Sequence, residues 1–523
     1  MAQPEIKQRL LDLCSKSAYP KAEQAPVQLL ETHLSWVYLV AGRVYKLKKP
    51  VNFGFVDFRS VQARRLACEA EIDLNRRLAP DVYLGIRALY RSPGGQFSFV
   101  ANGAVVDWAV YMRRLPEKAR ADLMLERDEL QLEALDLLAQ RIAAFHEHCV
   151  SDERISAFGL PEAISINVEE NFQQTQDHII KCITQEQAQS LQYWQREFLH
   201  KHHERLVQRV QDGYVRDGHG DLRLEHAYLL EGEWTVIDCI EFNERFRYAD
   251  TCADVAFLSM DLAAHGHVTF AERFVAQYAS AAHDYGLYPL LDFYQSYRAF
   301  VRGKVVLLSN DQKDGIAPEL LAQARHYFLL ALVGGYKPLV PQRLLAVGGM
   351  IASGKTTLAD RLSFELACPV VDADRTRKHL CGVKATDSLN EGLWTGAYEP
   401  AFSEQVYTRM LANARHVLGS GRSVVLDASF RNLAERKRAK ALADELGVPF
   451  LFIEAQVPKA VAMQRLAARE EQGGVSDARV ELYDSFEAAF EPVTEFAPPN
   501  HLKVNTTGSI EKTMAEIRPS VLE

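Results

Sequence analysis

GGMIASGKTT, Gly348 to Thr357, is the stretch that decides the fold of the C-terminal part. It carries the spacing G-x-x-x-x-G-K-[ST] at Gly349, Gly354, Lys355 and Thr356. By average residue usage such a match arises by chance about 0.02 times in a chain this long. An apolar run, RLLAVGG, precedes it as a buried strand, and TTLADRLSFEL follows as a helix. Glycines in this position let the backbone wrap a phosphate and aim N–H groups at it. Lys355 then neutralises the outer phosphates, and the Thr356 hydroxyl is placed for Mg²⁺. Ser353 and Thr357 complete the nucleotide-binding candidates. The alternative, a glycine-rich turn ahead of an ordinary helix, fits this context less well.

Outward from the loop, short apolar runs (LLAVGG, PVVDAD, SVVLDAS, FLFIEAQ, HLKVN) alternate with helical stretches. That pattern predicts an α/β domain with a parallel sheet. Asp427 ends SVVLDAS, where a second carboxylate joins a Mg²⁺ shell. Asp374 and Arg377 follow the second strand, at the rim where open α/β sheets bind ligands. Asp374 is read either as the carboxylate that meets an acceptor hydroxyl or, with Asp372, as a helix cap. Arg377 is read as a clamp for an anionic group. Arg465 and Arg469 stand one helical turn apart before Gly473 and Gly474. They are read as flap arginines closing over phosphate or as surface ion pairs.

The seam is VGGYKPLVPQ, Val333 to Gln342, which divides the chain into 1–335 and 343–523. Between about 25 and 115 the N-terminal part alternates like strands, interrupted by one helical stretch, VQARRLACEAEIDLNRRLA. From about 116 to 335 it reads as helices broken near 214–242 by a short hairpin. That break holds RDGHGDLRLEHAYLL, Arg216 to Leu230, and then WTVIDCIEF. Asp221 is placed to orient or deprotonate an acceptor hydroxyl. His226, five residues on, and Asp238 are placed to bracket Mg²⁺.

The C-terminal motifs resemble the P-loop small-molecule and nucleic-acid-end kinases, the group of gluconate kinase, chloramphenicol phosphotransferase, polynucleotide kinase and zeta toxins, over about 343–507. The resemblance implies that Asp374 contacts the acceptor and that Arg465 and Arg469 touch phosphate. The N-terminal part resembles the aminoglycoside phosphotransferase and choline kinase branch of the protein-kinase-like fold, a two-lobed α+β domain. Carried over by position, Lys46 in RVYKLKKP binds the α- and β-phosphates and Glu71 pairs with it, with Glu69 as rival. Val105 to Pro116 falls at the lobe hinge, and Asp254 braces the catalytic loop. Two departures stand out: His226 replaces the metal-binding Asn, and the hairpin near Val37–Val44 lacks a Gly-x-Gly-x-x-Gly cover. The pairing as a whole resembles bifunctional aminoglycoside phosphotransferase/ATP-binding proteins.

Composition bounds these readings. The 523 residues are 48% hydrophobic and 25% charged, in the range of ordinary globular chains. A net charge of −9 argues against general nucleic-acid binding and favours a small neutral or cationic acceptor. Eight cysteines lack CxxC spacing and read as reduced thiols of a cytoplasmic protein. No apolar run reaches the roughly 18 residues of a membrane span. His146, His148 and His200–His203 are read as solvated or core histidines, Glu241 and Asp250 as near the metal site or solvated, and ERKRAKALADEL as a solvated helix face. The expectation is an ATP- and Mg²⁺-dependent phosphotransferase with two nucleotide sites and a small-molecule acceptor. The alternatives are a nucleotide-gated regulatory ATPase with a pseudokinase-like half, and a zeta-toxin-like kinase of nucleotide sugars.

Overall fold

A computed structural model describes residues 3–54, 56–308, 316–384, 387, 396–472 and 480–522. The chain divides into two compact units, Met1–Ala264 with Phe293–Gly335, and His265–Asp292 with Tyr336–Glu523.

In the first unit, period-two alternation builds an antiparallel sheet from β1 (Val27–Glu31), β2 (Ser35–Val40), β3 (Arg43–Lys48), β4 (Tyr83–Arg91), β5 (Phe97–Ser98) and β6 (Ala104–Arg113). Their order is β1-β2-β3-β6-β4-β5. Tyr38, Val40, Tyr45, Leu47, Ala109 and Tyr111 pack on one face with Leu13 of the helix Gln3–Leu13. Leu39, Val44, Val110 and Met112 pack on the other with Cys68 and Ile72 of the helix Val61–Asn75. Alternation therefore turns Lys46 and Lys48 toward that second helix. The Ser60 hydroxyl caps it, accepting from the Ala63 amide at 3.0 Å. Its residues Arg64, Cys68, Glu71, Ile72 and Asn75 recur every three or four positions and form the buried face. Asp57 and Arg59 pair with each other on the surface.

The run expected at a hinge, Val105 to Pro116, is mostly interior strand. β6 lies between β3 and β4, and only Arg114–Pro116 lie beyond it. Its Asp107 is buried between Arg9 at 2.6 Å and Arg64 at 2.8 Å. The remainder of this unit is helical, with β7 (Val215–Asp217), β8 (Ala227–Leu230), β9 (Glu233–Val236) and β10 (Tyr248–Asp250) as two short antiparallel pairs, β7 with β10 and β8 with β9.

The second unit holds five parallel strands: β11 (Leu344–Gly349), β12 (Val370–Asp372), β13 (Val424–Asp427), β14 (Phe450–Gln456) and β15 (His501–Asn505). Their order is β12-β13-β11-β14-β15. β11 is central and buried at every residue, as a strand covered on both faces requires. Leu358, Leu362 and Leu366 of the helix Lys355–Leu366 pack on Leu345 and Val347.

This unit also takes His265–Asp292, a segment the sequence division left with the N-terminal part. The reason is electrostatic as much as apolar. Arg422, 1% exposed, reaches Glu272 at 2.8 Å and Asp292 at 3.1 Å. The Tyr285 hydroxyl donates to the Val370 carbonyl at 2.5 Å. A buried guanidinium requires such partners. ERKRAKALADEL lies in the helix Leu433–Leu446, but its Arg436 is fully buried, not solvated. It donates to the carbonyls of Phe430 at 2.9 Å and Glu491 at 3.0 Å and pairs with Glu495. Among the described residues, no helix is long and apolar enough to cross a membrane.

Candidate functional sites

The C-terminal site begins where β11 ends. Gly349 has φ +137°, and a Cβ there would lie 2.4 Å from the Ala455 carbonyl oxygen, so only glycine fits. Gly354 leads directly into the helix Lys355–Leu366, whose first turn presents Lys355, Thr356 and Thr357. The Lys355 ammonium donates to the Met350 carbonyl at 2.8 Å, within the loop itself. Ser353 is buried, and its Oγ has no hydrogen-bond partner among the described residues. Its carbonyl accepts from the Thr506 hydroxyl at 2.6 Å.

Parallel pairing sets Asp372 of β12 opposite Asp427 of β13, so two carboxylates end adjacent strands beside the loop. Asp427 bonds the Thr356 hydroxyl and feels the Lys355 charge, while its buried Oδ2 has no hydrogen-bond partner among the described residues. Burial and the charge of Asp427 push the Asp372 carboxyl up to about 7. Burial also raises Asp427. The cap question resolves to Asp372, which accepts from the Arg375 amide at 2.6 Å. Asp374 stays in the first turn, near enough to act on Asp427. An orphaned buried carboxylate oxygen next to a threonine hydroxyl fits a divalent cation, with Thr356 and Asp427 as the holding groups.

Arg465 sits against the loop's backbone, donating to Ala352 O at 3.2 Å and Thr506 O at 2.5 Å. Arg469 lies on the same helix, Lys459–Gln472, but its side chain is outside the described residues, as are Gly473 and Gly474. Arg377 is not at an open clamp. It is buried, bonded to Ala397 O at 2.5 Å, and lies 4.5 Å from the Tyr398 ring centroid.

The N-terminal site is drawn from distant stretches. Lys46 lies 2.9 Å from Glu71 and 2.6 Å from Asp238. Burial opposes its charge, but Asp238 and Glu71 raise the ammonium well above the lysine range. Lys48, two residues on and so on the same side of β3, pairs with Glu71 and Glu241. Glu69, the rival to Glu71, pairs with Arg65 at 3.0 Å on the surface. Asp238 has φ +63°, a left-handed backbone unusual for aspartate and a mark of stored strain. Burial works against its charge, but Lys46 and His226 hold its carboxyl well below the ordinary range.

The His-Gly-Asp loop is braced from below. Asp254 accepts from the amides of His219 at 2.7 Å and Gly220 at 2.9 Å. Gly220 has φ +83°, and a Cβ would lie 2.8 Å from Phe246 O. His219 is buried and pushed down to about 4 by that burial. Arg223 grips Asp221 with two bonds, 2.8 and 3.0 Å. Burial raises the Asp221 carboxyl, but Arg223, His226 and Arg302 outweigh it and keep it ionised. His226 Nδ1 lies 2.9 Å from Asp221 O, which assigns the proton to Nδ1. Its Nε2 lies 3.9 Å from Asp238 Oδ2 and 3.4 Å from an Arg223 guanidinium nitrogen. That pair fits a divalent cation, held by one imidazole and one carboxylate.

The structure thus brings Lys46, Glu71, Asp238, His226 and Asp221 together in one unit, and Gly349 to Thr357, Asp374, Asp427 and Arg465 in the other. Three readings are narrowed. His146, read as solvated or core, is a core residue 3.3 Å from Asp254 Oδ2. Glu241 is buried on Lys48, and Asp250 is buried on Arg209 at 2.5 Å, so neither is solvated. Sequence reasoning passed over Lys48, Arg223 and the role of Asp372. Two of them had a local signal, Lys48 in its i+2 spacing from Lys46 and Arg223 in its i+2 spacing from Asp221.

A family model described as AAA domain matches residues 344–493. Among solved structures, a gluconokinase from Sinorhizobium meliloti 1021 is 15% identical, covering 35% of this chain and 91% of its own, with a TM-score of 0.25. An APS kinase, CysC, from Mycobacterium tuberculosis is 18% identical over 35% of this chain and 99% of its own, with a TM-score of 0.26. Over nearly the whole length the chain is similar to mycobacterial proteins, among them Uncharacterized protein Rv2004c of Mycobacterium tuberculosis (strain ATCC 25618 / H37Rv) and Uncharacterized protein Mb2027c of Mycobacterium bovis (strain ATCC BAA-935 / AF2122/97). Each is 33% identical over 469 residues, covering 89% of this chain and 90% of the relative. The C-terminal unit carries a P-loop domain on a parallel sheet, and the chain belongs to the family of these mycobacterial proteins.

Proposed function

We propose that this chain is an ATP-dependent phosphotransferase with two nucleotide sites. Each passes the γ-phosphoryl group of Mg-ATP to the hydroxyl of a small molecule. The observation that carries the reading is the C-terminal loop, where Lys355 and Thr356 stand beside Asp427. In that site the loop amides and Lys355 bind the phosphates, Arg465 keeps the loop's shape, and Asp374 meets the acceptor. Mg²⁺, held by Thr356 and Asp427, offsets charge on the phosphates when bound.

The N-terminal unit is read as a protein-kinase-like domain of the aminoglycoside phosphotransferase kind. Support comes from the antiparallel sheet with its one packed helix, and from Lys46 joining Glu71 to Asp238. There Lys46 binds the α- and β-phosphates. Asp221 accepts a hydrogen bond from the acceptor hydroxyl and orients it. The hydroxyl oxygen bonds to the γ-phosphorus, the bond to the bridging oxygen breaks, ADP leaves, and the proton passes to Asp221 or solvent. Eight cysteines, six of them buried, suit a reducing cytoplasm.

Transfer of γ-labelled phosphate tests the reading, over a panel of sugars, aminoglycosides, nucleosides and RNA ends. Transfer that falls in part with Asp221→Asn and in part with Lys355→Ala is the expected result. Loss of ATP only to water, unchanged by Asp221→Asn, sinks the two-site reading. His226 at the metal position favours one second reading, a regulatory ATPase whose N-terminal half binds nucleotide without turnover. In that case only Lys355→Ala changes any ATP-dependent signal.

A further inference from the structure

The helix Tyr288–Leu308 carries Arg298 and Arg302 four residues apart, on one face. Arg298 is buried, donates to Ala253 O at 3.2 Å, and reaches Asp254 Oδ1 at 4.0 Å. Asp254 in turn holds the amides of His219 and Gly220. One helical turn on, the Arg302 guanidinium carbon lies 5.8 Å from the Tyr327 ring centroid, and its charge acts on Asp221.

Two arginines therefore serve Asp221, and they differ. Arg223 is engaged in full, by Asp221 on one side and Glu225 on the other. Arg302 bonds the Tyr327 hydroxyl but belongs to no ion pair among the described residues. The nearby Asp261 carboxylate accepts from the Leu224 amide at 2.9 Å. A half-buried planar guanidinium outside any ion pair is suited to hold a carboxylate or phosphate through the nitrogens it leaves accessible. An anion brought near ionised Asp221 is otherwise repelled, and a cation on the far side offsets that cost.

We propose that Arg302 anchors an anionic group of the acceptor, so that the N-terminal site takes a small alcohol bearing a phosphate or carboxylate. The inference rests on the reading of Asp221 as the group that orients the acceptor hydroxyl. Atoms balance as in any such transfer: the alcohol oxygen gains the γ-phosphoryl group, ADP leaves, and one proton is released. The proposal reverses the lean drawn from net charge toward a neutral or cationic acceptor. Net charge sums the whole surface, whereas a guanidinium outside any ion pair acts locally on Asp221.

The test uses the full chain with Lys355→Ala, so that the C-terminal loop does not itself bind added anions, saturated with a non-hydrolysable ATP analogue. Glycerol 3-phosphate, glycerate, glycerol and choline are titrated by calorimetry. The two anions are expected to bind at least tenfold more tightly than glycerol or choline, and whichever of them binds more tightly identifies the group. Arg302→Gln is expected to weaken the anions at least tenfold and leave glycerol within twofold. Arg302→Lys restores part of the affinity, and both variants keep the parent's melting temperature within a few degrees. Anion binding unchanged by Arg302→Gln, or choline bound more tightly than the anions, overturns the proposal. Labelled ATP then separates the two layers. Arg302-dependent anion binding without Asp221-dependent transfer overturns the phosphotransferase reading of this half and leaves the anion site standing.

Discussion

The two candidate sites are built in opposite ways. Nine consecutive residues, Gly349 to Thr357, supply most of the C-terminal one, and the carboxylates that join it come from the ends of two neighbouring strands. The N-terminal site is collected from β3, the helix Val61–Asn75, the loop at Asp221 and the segment after β9, with Lys46 and Asp238 separated by 192 positions. A local site depends on backbone conformation that glycine alone adopts. A dispersed site depends on buried ion pairs that only tertiary packing can close. The first is robust to change elsewhere in the chain, and the second is sensitive to it.

The largest expected effects come from silencing each site in turn. Lys355→Ala and Asp221→Asn should each lower their own share of phosphoryl transfer by about 10²–10³-fold. Each should leave the other share within twofold, measured with γ-labelled ATP and two acceptors. If one substitution removes both shares, the sites are not independent and the contrast fails.

Acid should act through buried imidazoles in both units. In the second unit His283 stacks on His379 at 4.2 Å and is pushed from 6.5 down to about 3 by burial, His379, Arg409 and Arg375. Above 6.5 the imidazole is neutral folded or unfolded and makes no difference. Below it the unfolded chain takes a proton that the folded one refuses, so stability falls with pH. The loss should be about 2 kcal/mol by pH 5. His283→Phe should flatten that limb in denaturant melts, with hydrogen exchange showing the gain in β11–β14. An unchanged slope breaks the assignment. His219, pushed down to about 4, predicts the same sign in the first unit.

The smallest effect concerns the metal. An imidazole and a carboxylate suit Mn²⁺ better than Mg²⁺, whereas Thr356 and Asp427 offer only oxygen. Asp221-dependent transfer should therefore be roughly tenfold faster with Mn²⁺, a gain of about 1.4 kcal/mol. Lys355-dependent transfer should be indifferent within twofold or threefold. His226→Asn should abolish the manganese preference. Equal metal response at both sites would falsify this part of the contrast.

Legibility in the sequence follows the same division. The loop, its flanking strand and helix, and the parallel sheet were readable because each is a contiguous pattern. Lys46, Glu71, Asp221 and Asp238 were named only by resemblance and order, since nothing local marks Glu71 over Glu69. What chooses between them is burial: Glu71 faces β3 and Glu69 faces solvent. For that reason His146 was read only as solvated or core, Glu241 and Asp250 were left between the metal site and solvent, and Arg436 was misread as solvated. Their partners lie 108, 193, 41 and 59 residues away, beyond any local periodicity.

By itself, then, the sequence determined the elements, the phosphate loop and the chemistry available to each stretch, because those depend on glycine backbone freedom and on apolar periodicity. Tertiary structure decided which charges meet. It set Asp372 beside Asp427, joined Lys46 to Asp238 and left Arg302 without a carboxylate among the described residues. It also drew His265–Asp292 into the second unit through Arg422. Charges buried away from water must find partners wherever the chain supplies them, and the distance between those partners along the sequence carries no signal.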